Sequence, residues 1–374
     1  MKTIQKQEKI TLALFFTRGV SLKRWDEVGN LSREIALYNE LAQHLKRIYF
    51  FTYGNQDDLK YRDQLAENII VVPKKWNLPS FLYMFLLPFV NKHILLDTDI
   101  LKTNQMKGAL AALISKKIYR KPLVVRCGYE WLLSYTNMGA STARLWLIKA
   151  VERIVYKGAD HIIVSAQNIF DFVQKTFDLT REKMVVVSNY IDIDMFKPLD
   201  VHKQTDTVGF VGRLAAQKNL HNLISALEGL DLTLIIFGTG DLKEDLRDHA
   251  KSRGVQVEFR GSVPNEQIPS ELNKLQVFIL PSYFEGNPKV LLEAMACGMP
   301  VIATNVVGNQ EIIMHKENGF LCETDPDSIR DAIRQVIENP TLKSIMGKGA
   351  RQTIVESFSL ERIIERELAI YLML

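Results

Sequence analysis

From about residue 207 the chain alternates between short apolar runs and longer amphipathic stretches. DTVGFV, LTLIIF, VQVEFR, QVFIL and PVIAT are rich in β-branched and aromatic residues, and continuous runs of this kind suit strands buried on both faces. Between them the spacing predicts helices near 218–229, 241–253, 265–274 and 288–297. A strand–helix–strand series closes as a parallel sheet wrapped by helices. The first half repeats the scheme, with strands expected at 10–16, 47–53, 69–72, 94–97, 122–126, 161–165 and 184–187 and helices at 28–45, 106–118 and 141–157.

The expected fold is therefore α/β, with two Rossmann-like, doubly wound parallel-sheet domains facing a central cleft. Their bounds are 1–187 and 201–356, joined by a linker over 188–200 (SNYIDIDMFKPLD) that Pro198 marks. The last helix, 357–374, ends apolar and is expected to pack back on the first domain. In such sheets ligands gather at the carboxyl ends of the strands.

Composition sets limits on the chemistry. The 374 residues are 47% hydrophobic and 24% charged, ordinary for a soluble globular chain. Cys127, Cys297 and Cys322 are widely spaced, which argues for a reducing, cytoplasmic setting and against a disulfide frame or zinc site. The apolar run ITLALFF reads as a first strand rather than a signal peptide, because no small-residue cleavage site follows it. The 13 residues LPSFLYMFLLPFV (78–90) are too few to span a bilayer. They are expected as a buried helix, with a membrane-dipping surface as the other reading.

Charge is divided unevenly. Residues 1–187 hold 28 Lys and Arg against 17 Asp and Glu, and residues 188–374 hold 19 against 26. The first half is thus suited to an anionic partner, such as lipid head groups, phosphates or nucleic acid. KGALAALISKKIYRK (107–121) fits an amphipathic helix with a cationic rim, or simply a solvated face. No nucleic-acid recognition motif accompanies the positive charge, so nucleic acid is not expected as a partner.

Chemistry is expected in the strand-end loops. GRLAAQKNL (212–220) places Arg213 and Lys218 near a helix start, where N–H groups already favour anions, a good receptor for a diphosphate. FGTGD (237–241) and FRGSVP (259–264) are further glycine-bearing loops, though none has a dinucleotide fingerprint. EGNPKVLLE (285–293) sets two glutamates around a turn, with Pro288 in the first turn of a helix closed by Gly298. The plain alternative pairs Glu293 with Lys289 and leaves Glu285 as a solvated loop acid.

Together, GRL…QKN, FGTGD, FRGSVP, PSYFEGNPKVLLEAMACGMPVIAT and NGFL resemble the C-terminal half of retaining glycosyltransferase family 4, which has the GT-B fold. The match includes the E-x7-E spacing of Glu285 and Glu293, and VSNYIDIDMFKP resembles that family's interdomain linker. The resemblance implies catalytic roles for Arg213 and Lys218, on the donor diphosphate, and for Glu285, on the donor sugar. It implies donor contacts at Gly19, Gly212, Gly238, Ser262, Val263, Gly286, Asn287, Pro288, Val290 and Glu293, the last on the ribose. Arg18, Asn104, Tyr129 and Glu130 would lie on the acceptor side.

The implied activity is retaining transfer of a hexose from a UDP- or GDP-sugar to a lipid-linked or glycan acceptor in cell-surface glycan synthesis. The protein would work in the cytoplasm, peripherally on the inner face of the membrane. A sugar-nucleotide epimerase on the same fold, or a nucleotide-sugar-binding protein without turnover, are the alternatives. No cofactor or metal is expected, since the fixed cations meet the charge of the leaving diphosphate. Of the Asp-x-Asp pairs, Asp97/Asp99 and Asp192/Asp194 fall at a strand end of the first domain and in the linker. The sequence departs from the family in three places. Cys127-Gly128-Tyr129-Glu130 stands where many relatives carry a histidine, the first loop has the single glycine Gly19, and Asn287 replaces a bulky apolar residue.

Overall fold

The computed structural model describes residues 10–128, 130–137, 139–204 and 206–374. Contacts divide the chain into two units, Met1–Ser188 with Ile364–Leu374, and Asn189–Ile363.

The first unit holds a seven-stranded parallel sheet in the order β3-β2-β1-β4-β5-β6-β7. Its strands are β1 Thr11–Phe15, β2 Arg47–Phe51, β3 Ile69–Val72, β4 Ile100–Thr103, β5 Leu123–Cys127, β6 His161–Val164 and β7 Met184–Val186. The second holds a six-stranded parallel sheet, β10-β9-β8-β11-β12-β13. These strands are β8 Thr207–Val211, β9 Thr233–Phe237, β10 Gln256–Gly261, β11 Val277–Leu280, β12 Val301–Thr304 and β13 Phe320–Cys322. In each order the chain moves outward from a central strand and then crosses to the other side, the doubly wound pattern expected.

One predicted strand is misplaced. Residues 94–97 lie at the end of a helix, Lys92–Leu96, and the strand falls on Ile100–Thr103. Lys102 interrupts the apolar pattern there, yet its side chain has no exposure because it pairs with Glu367. β10, expected as buried, is an edge strand with alternate residues exposed.

Residues 188–200, expected as a linker, are packed into the second unit from Asn189 onward. Ile191 and Phe196 belong to that unit's hydrophobic core. The Arg351 guanidinium donates to the carbonyls of Phe196, Ala296 and Ile193 at 2.7, 2.9 and 3.1 Å and fixes the segment. The last helix runs Leu360–Leu372, and its residues from Ile364 belong to the first unit.

The stretch 78–90 corrects the expectation of a buried helix. It is helical over Ser80–Val90, and Tyr83, Met84, Leu87 and Pro88 are buried while Phe81, Leu82, Phe85, Leu86 and Phe89 face solvent. Among the described residues no helix is long and apolar enough to cross a membrane.

Candidate active site

In the second unit the loops after β8, β9 and β10 are laced edge to edge. Gly212 N–H donates to Phe237 O at 2.9 Å, Leu214 N–H to Thr239 O at 2.9 Å, and Gly238 N–H to Gly261 O at 2.7 Å. Gly238 has φ +142°, and a Cβ there would stand 1.9 Å from Gly212 O, so only glycine permits this approach. Ser262 is exposed beyond the third loop, and Val263 packs partly on the core.

The loop after β8 continues into a single 3-10 turn, Ala216–Lys218, and then the helix Leu220–Ala226. Asn219 between them is left-handed (φ +53°), and its Nδ2 donates to Pro281 O at 3.0 Å and Thr324 O at 2.8 Å. Gln217 clasps the neighbouring loop twice. Its carbonyl accepts from Tyr283 N–H at 2.9 Å, and its Nε2 donates to Phe284 O at 2.9 Å.

This clasp brings Lys218 Nζ to 2.5 Å from Glu285 Oε1, with the two side chains 18% and 8% exposed. Ser282 Oγ donates to the same carboxylate oxygen at 2.6 Å. Ser282 is itself buried, and its carbonyl accepts from Thr304 Oγ1 at 2.5 Å. Asn309 Nδ2 in turn donates to Thr304 O at 2.9 Å. Gly308 lies against the turn from the other side, where a Cβ would meet the carbonyl oxygens of Glu285 and Gly286 at 2.4 Å each. Sequence reading missed Ser282, Thr304, Asn219 and Gly308. The only sequence trace of the first is a serine three residues before Glu285.

After Glu285 the chain turns through Gly286 and Asn287 into the helix Lys289–Ala296, capped by Pro288 and closed at Gly298 (φ +67°). Asn189 Nδ2 donates to Asn287 O at 3.1 Å and steadies the turn. Glu293 is buried in the second turn of this helix, Val290 packs partly on the core, and the Lys289 ammonium sits 5.8 Å over the Tyr190 ring. Arg213 is exposed and has no ion-pair partner among the described residues. Lys218, Glu285 and the 286–288 turn are thus brought together, with Gly212 and Gly238 at neighbouring strand ends of the same sheet.

In the first unit Gly19 (φ +81°) is exposed in a turn closed by Val20 N–H to Thr17 O at 2.9 Å. Beside it, the Arg18 guanidinium lies 5.6 Å from the Phe81 ring centroid. Asn104 and Glu130 differ from expectation. Asn104 is buried, and its Oδ1 accepts from Tyr38 Oη at 3.2 Å. Glu130 is buried against Glu152, and each carboxylate takes a backbone amide, Leu133 for Glu130 and Trp131 for Glu152. Burial raises the Glu130 carboxyl, and burial together with Glu130 pushes Glu152 up to about 9. Both Asn104 and Glu130 are therefore engaged internally, which suits a structural role rather than acceptor binding. Tyr129 lies outside the described residues.

The Asp97/Asp99 and Asp192/Asp194 pairs also have local partners. Asp99 Oδ2 accepts from Thr11 N–H at 2.8 Å, and Asp192 Oδ1 accepts from the amides of Asp194 and Met195 at 3.0 and 2.9 Å. Among the described residues no group of three or more His, Cys, Asp or Glu side chains could hold a metal ion.

Residues 35–195 match the family model for Glycosyltransferase Family 4, and residues 192–353 match that for Glycosyl transferases group 1. An uncharacterized glycosyltransferase of Methanocaldococcus jannaschii is 28% identical over 60% of this chain and 63% of its own length. The chain thus spans less than two thirds of that relative. The UDP-Gal:alpha-D-GlcNAc-diphosphoundecaprenol alpha-1,3-galactosyltransferase of Escherichia coli is 26% identical over 73% of this chain and 75% of its own. Among solved structures, HepE of Anabaena in complex with UDP is similar over 98% of this chain and all of that one, with TM-score 0.76 and 20% identity. With a family 4 domain in its first half, a group 1 domain in its second and this likeness of fold over nearly its whole length, the chain belongs to the GT-B glycosyltransferases.

Proposed function

We propose that the protein transfers a hexose from a nucleotide-diphosphate sugar, with retention of configuration, to a lipid-linked or glycan acceptor at the cytoplasmic face of a membrane. The observation that carries this reading is the Lys218–Glu285 pair, oriented by Ser282 at the carboxyl end of the second sheet. Lys218 and Ser282 both engage Oε1 of Glu285, which leaves Oε2 to accept from sugar hydroxyls. The ammonium keeps further N–H donors for a diphosphate, and Arg213 adds a second cation without internal demands on it. Glu293 binds the ribose in this reading, and the 286–288 backbone holds the sugar.

In the reaction the bond from the anomeric carbon to the diphosphate oxygen breaks, and a bond to the acceptor hydroxyl forms on the same face. The acceptor's proton passes to a phosphate oxygen of the leaving group. Arg213 and Lys218 stabilise the charge that grows there, so this reading requires no metal. The names of the relatives support the substrate classes, with a galactosyltransferase on a diphosphoundecaprenol-linked sugar in Escherichia coli and HepE solved with UDP-glucose.

The test is nucleotide release from a panel of UDP-, GDP- and ADP-hexoses by the protein and by Glu285→Ala. Slow release from one donor, lost in the variant, is expected. Binding of a donor without release from it, even with a lipid-linked acceptor present, would favour the non-catalytic alternative. No release and no calorimetric binding of any donor would overturn the reading.

A further inference from the structure

The helix Ser80–Val90 presents an apolar stripe to solvent on the side opposite its buried face. Phe81, Leu82, Phe85, Leu86 and Phe89 recur at helical spacing and are each 38–62% exposed. Trp76, just before the helix, is half exposed as well. Neighbouring large apolar side chains left in solvent on one helix mark an interaction surface rather than ordinary surface scatter.

The charges around the stripe select the partner. At one end the Arg18 guanidinium lies over Phe81; at the other, Lys75 Nζ donates to Val90 O at 3.1 Å and Lys92 is exposed. Tyr119 Oη donates to Pro88 O at 2.9 Å, which ties in the helix Ala109–Tyr119 with Lys117 and Arg120 near its end. The helix Thr142–Gly158 packs on that one and exposes Trp146, Leu147 and Ile154 among further cations. Segments 74–96, 107–121 and 142–158 together carry twelve Lys and Arg and one acid, Glu152, which is buried.

We infer that this face docks on an anionic lipid bilayer, with the Ser80–Val90 stripe in the head-group and acyl boundary and the basic side chains on lipid phosphates. A second copy of the chain fits poorly, because a two-fold contact would bring two cationic rims together with no exposed acid in these segments to pair them. Resting on the proposed function, the position of Arg18 adds a purpose. The stripe begins beside the first-strand loop, so a lipid-linked acceptor could keep its tail in the bilayer while its head group reaches that loop.

Sedimentation with vesicles tests the proposal without any sugar chemistry. The protein is expected to bind vesicles of equal parts phosphatidylcholine and phosphatidylglycerol, and to bind pure phosphatidylcholine far more weakly. Leu82→Ser/Leu86→Ser/Phe89→Ser should lower partitioning at least about tenfold. Lys92→Glu/Lys117→Glu should lower it roughly fivefold per charge, for the anionic vesicles only. All these side chains are exposed, so thermal unfolding of both variants should match the parent.

Failure of the parent to bind anionic vesicles, or unchanged binding by the triple serine variant, overturns the inference. Self-association that the triple variant abolishes, without vesicle binding, would assign the face to a second copy instead. Donor release measured on the same preparations separates the two proposals. Vesicle binding with neither release nor binding of any donor would sink only the enzymatic reading, and release without vesicle binding would sink only this one.

Discussion

Lys102 in β4 and Glu367 in the last helix stand 265 positions apart and form an ion pair with both side chains wholly buried. Arg126 Nη1 reaches the other oxygen of Glu367 at 3.3 Å, and Tyr371 Oη donates to the carboxylate at 2.8 Å. Burial pushes the Glu367 carboxyl up, but the two cations and the hydrogen bonds outweigh it and hold its pKa below the ordinary value. Glu367→Leu strands two cations and is expected to cost about 3–5 kcal/mol. Lys102→Met should cost less, since Arg126 still satisfies Glu367, and the double variant should cost less than the sum of the singles. Urea unfolding of the three variants checks this. A Glu367→Leu protein as stable as the parent would contradict the pairing.

The same pair marks where the sequence stopped being legible. Strands such as TLALF, IIVV and VFIL announce themselves by apolar content, and their places were read to within a residue or two. β4 was not, because Lys102 looks like a surface residue until its partner from the far end of the chain is known. In the candidate site, Lys218, Glu285 and the Pro288 turn were legible because charge, glycine and proline sit at fixed distances along the chain. Ser282, Asn219 and Gly308 were not. Their parts depend on contacts between separate loops, as when Gly308 meets the Glu285 carbonyl. Asn104 and Glu130 show the opposite case, since the family resemblance points to the acceptor side while burial gives them internal partners that the sequence does not announce.

The Glu130–Glu152 pair predicts a pH dependence of stability. Glu130 Oε1 and Glu152 Oε2 have no hydrogen-bonding partner unless the two carboxyls share a proton. With Glu152 raised from 4.5 to about 9 by burial and then by Glu130, the folded state holds a proton that the unfolded chain releases. Stability from this pair is therefore full below about pH 4.5 and declines as pH rises towards 9, by on the order of a few kcal/mol. Glu152→Gln keeps a hydrogen-bond donor at every pH and should flatten that decline. Unfolding midpoints compared at acid, neutral and alkaline pH provide the measurement, and parallel slopes in parent and variant would exclude a shared proton.

Gly308→Ala probes how closely the site loops must approach. The added Cβ would stand 2.4 Å from two carbonyl oxygens of the Glu285 turn, so the turn has to move. Overpacking of this kind costs about 1–3 kcal/mol of stability. A shift of the Glu285 carboxylate by even part of an ångström should reduce donor turnover roughly ten- to a hundredfold. The expected signature is a large loss of donor release with a small loss in thermal midpoint. Full turnover in Gly308→Ala would mean that the turn does not position the donor.

Ser282→Ala separates orientation of Glu285 from its mere presence. The hydroxyl donates to Oε1 at 2.6 Å from a fully buried position, and Lys218 is the other donor to that oxygen. Losing a hydrogen bond to a charged acceptor removes about 1.5–3 kcal/mol, a factor of roughly ten to a hundred if the bond acts fully in the transition state. The loss should fall on turnover rather than on donor affinity, because Lys218 and Arg213 still hold the diphosphate in the proposed mechanism. Thr304→Val supplies the contrast. It deletes a hydroxyl that donates to the Ser282 carbonyl at 2.5 Å, with longer 3.5 Å contacts to Leu280 O and from Asn309 Nδ2 and none to Glu285, so it should perturb turnover less than Ser282→Ala while removing a comparable hydrogen bond. Equal effects from the two variants would make Ser282 a packing residue and leave Lys218 alone to orient the carboxylate.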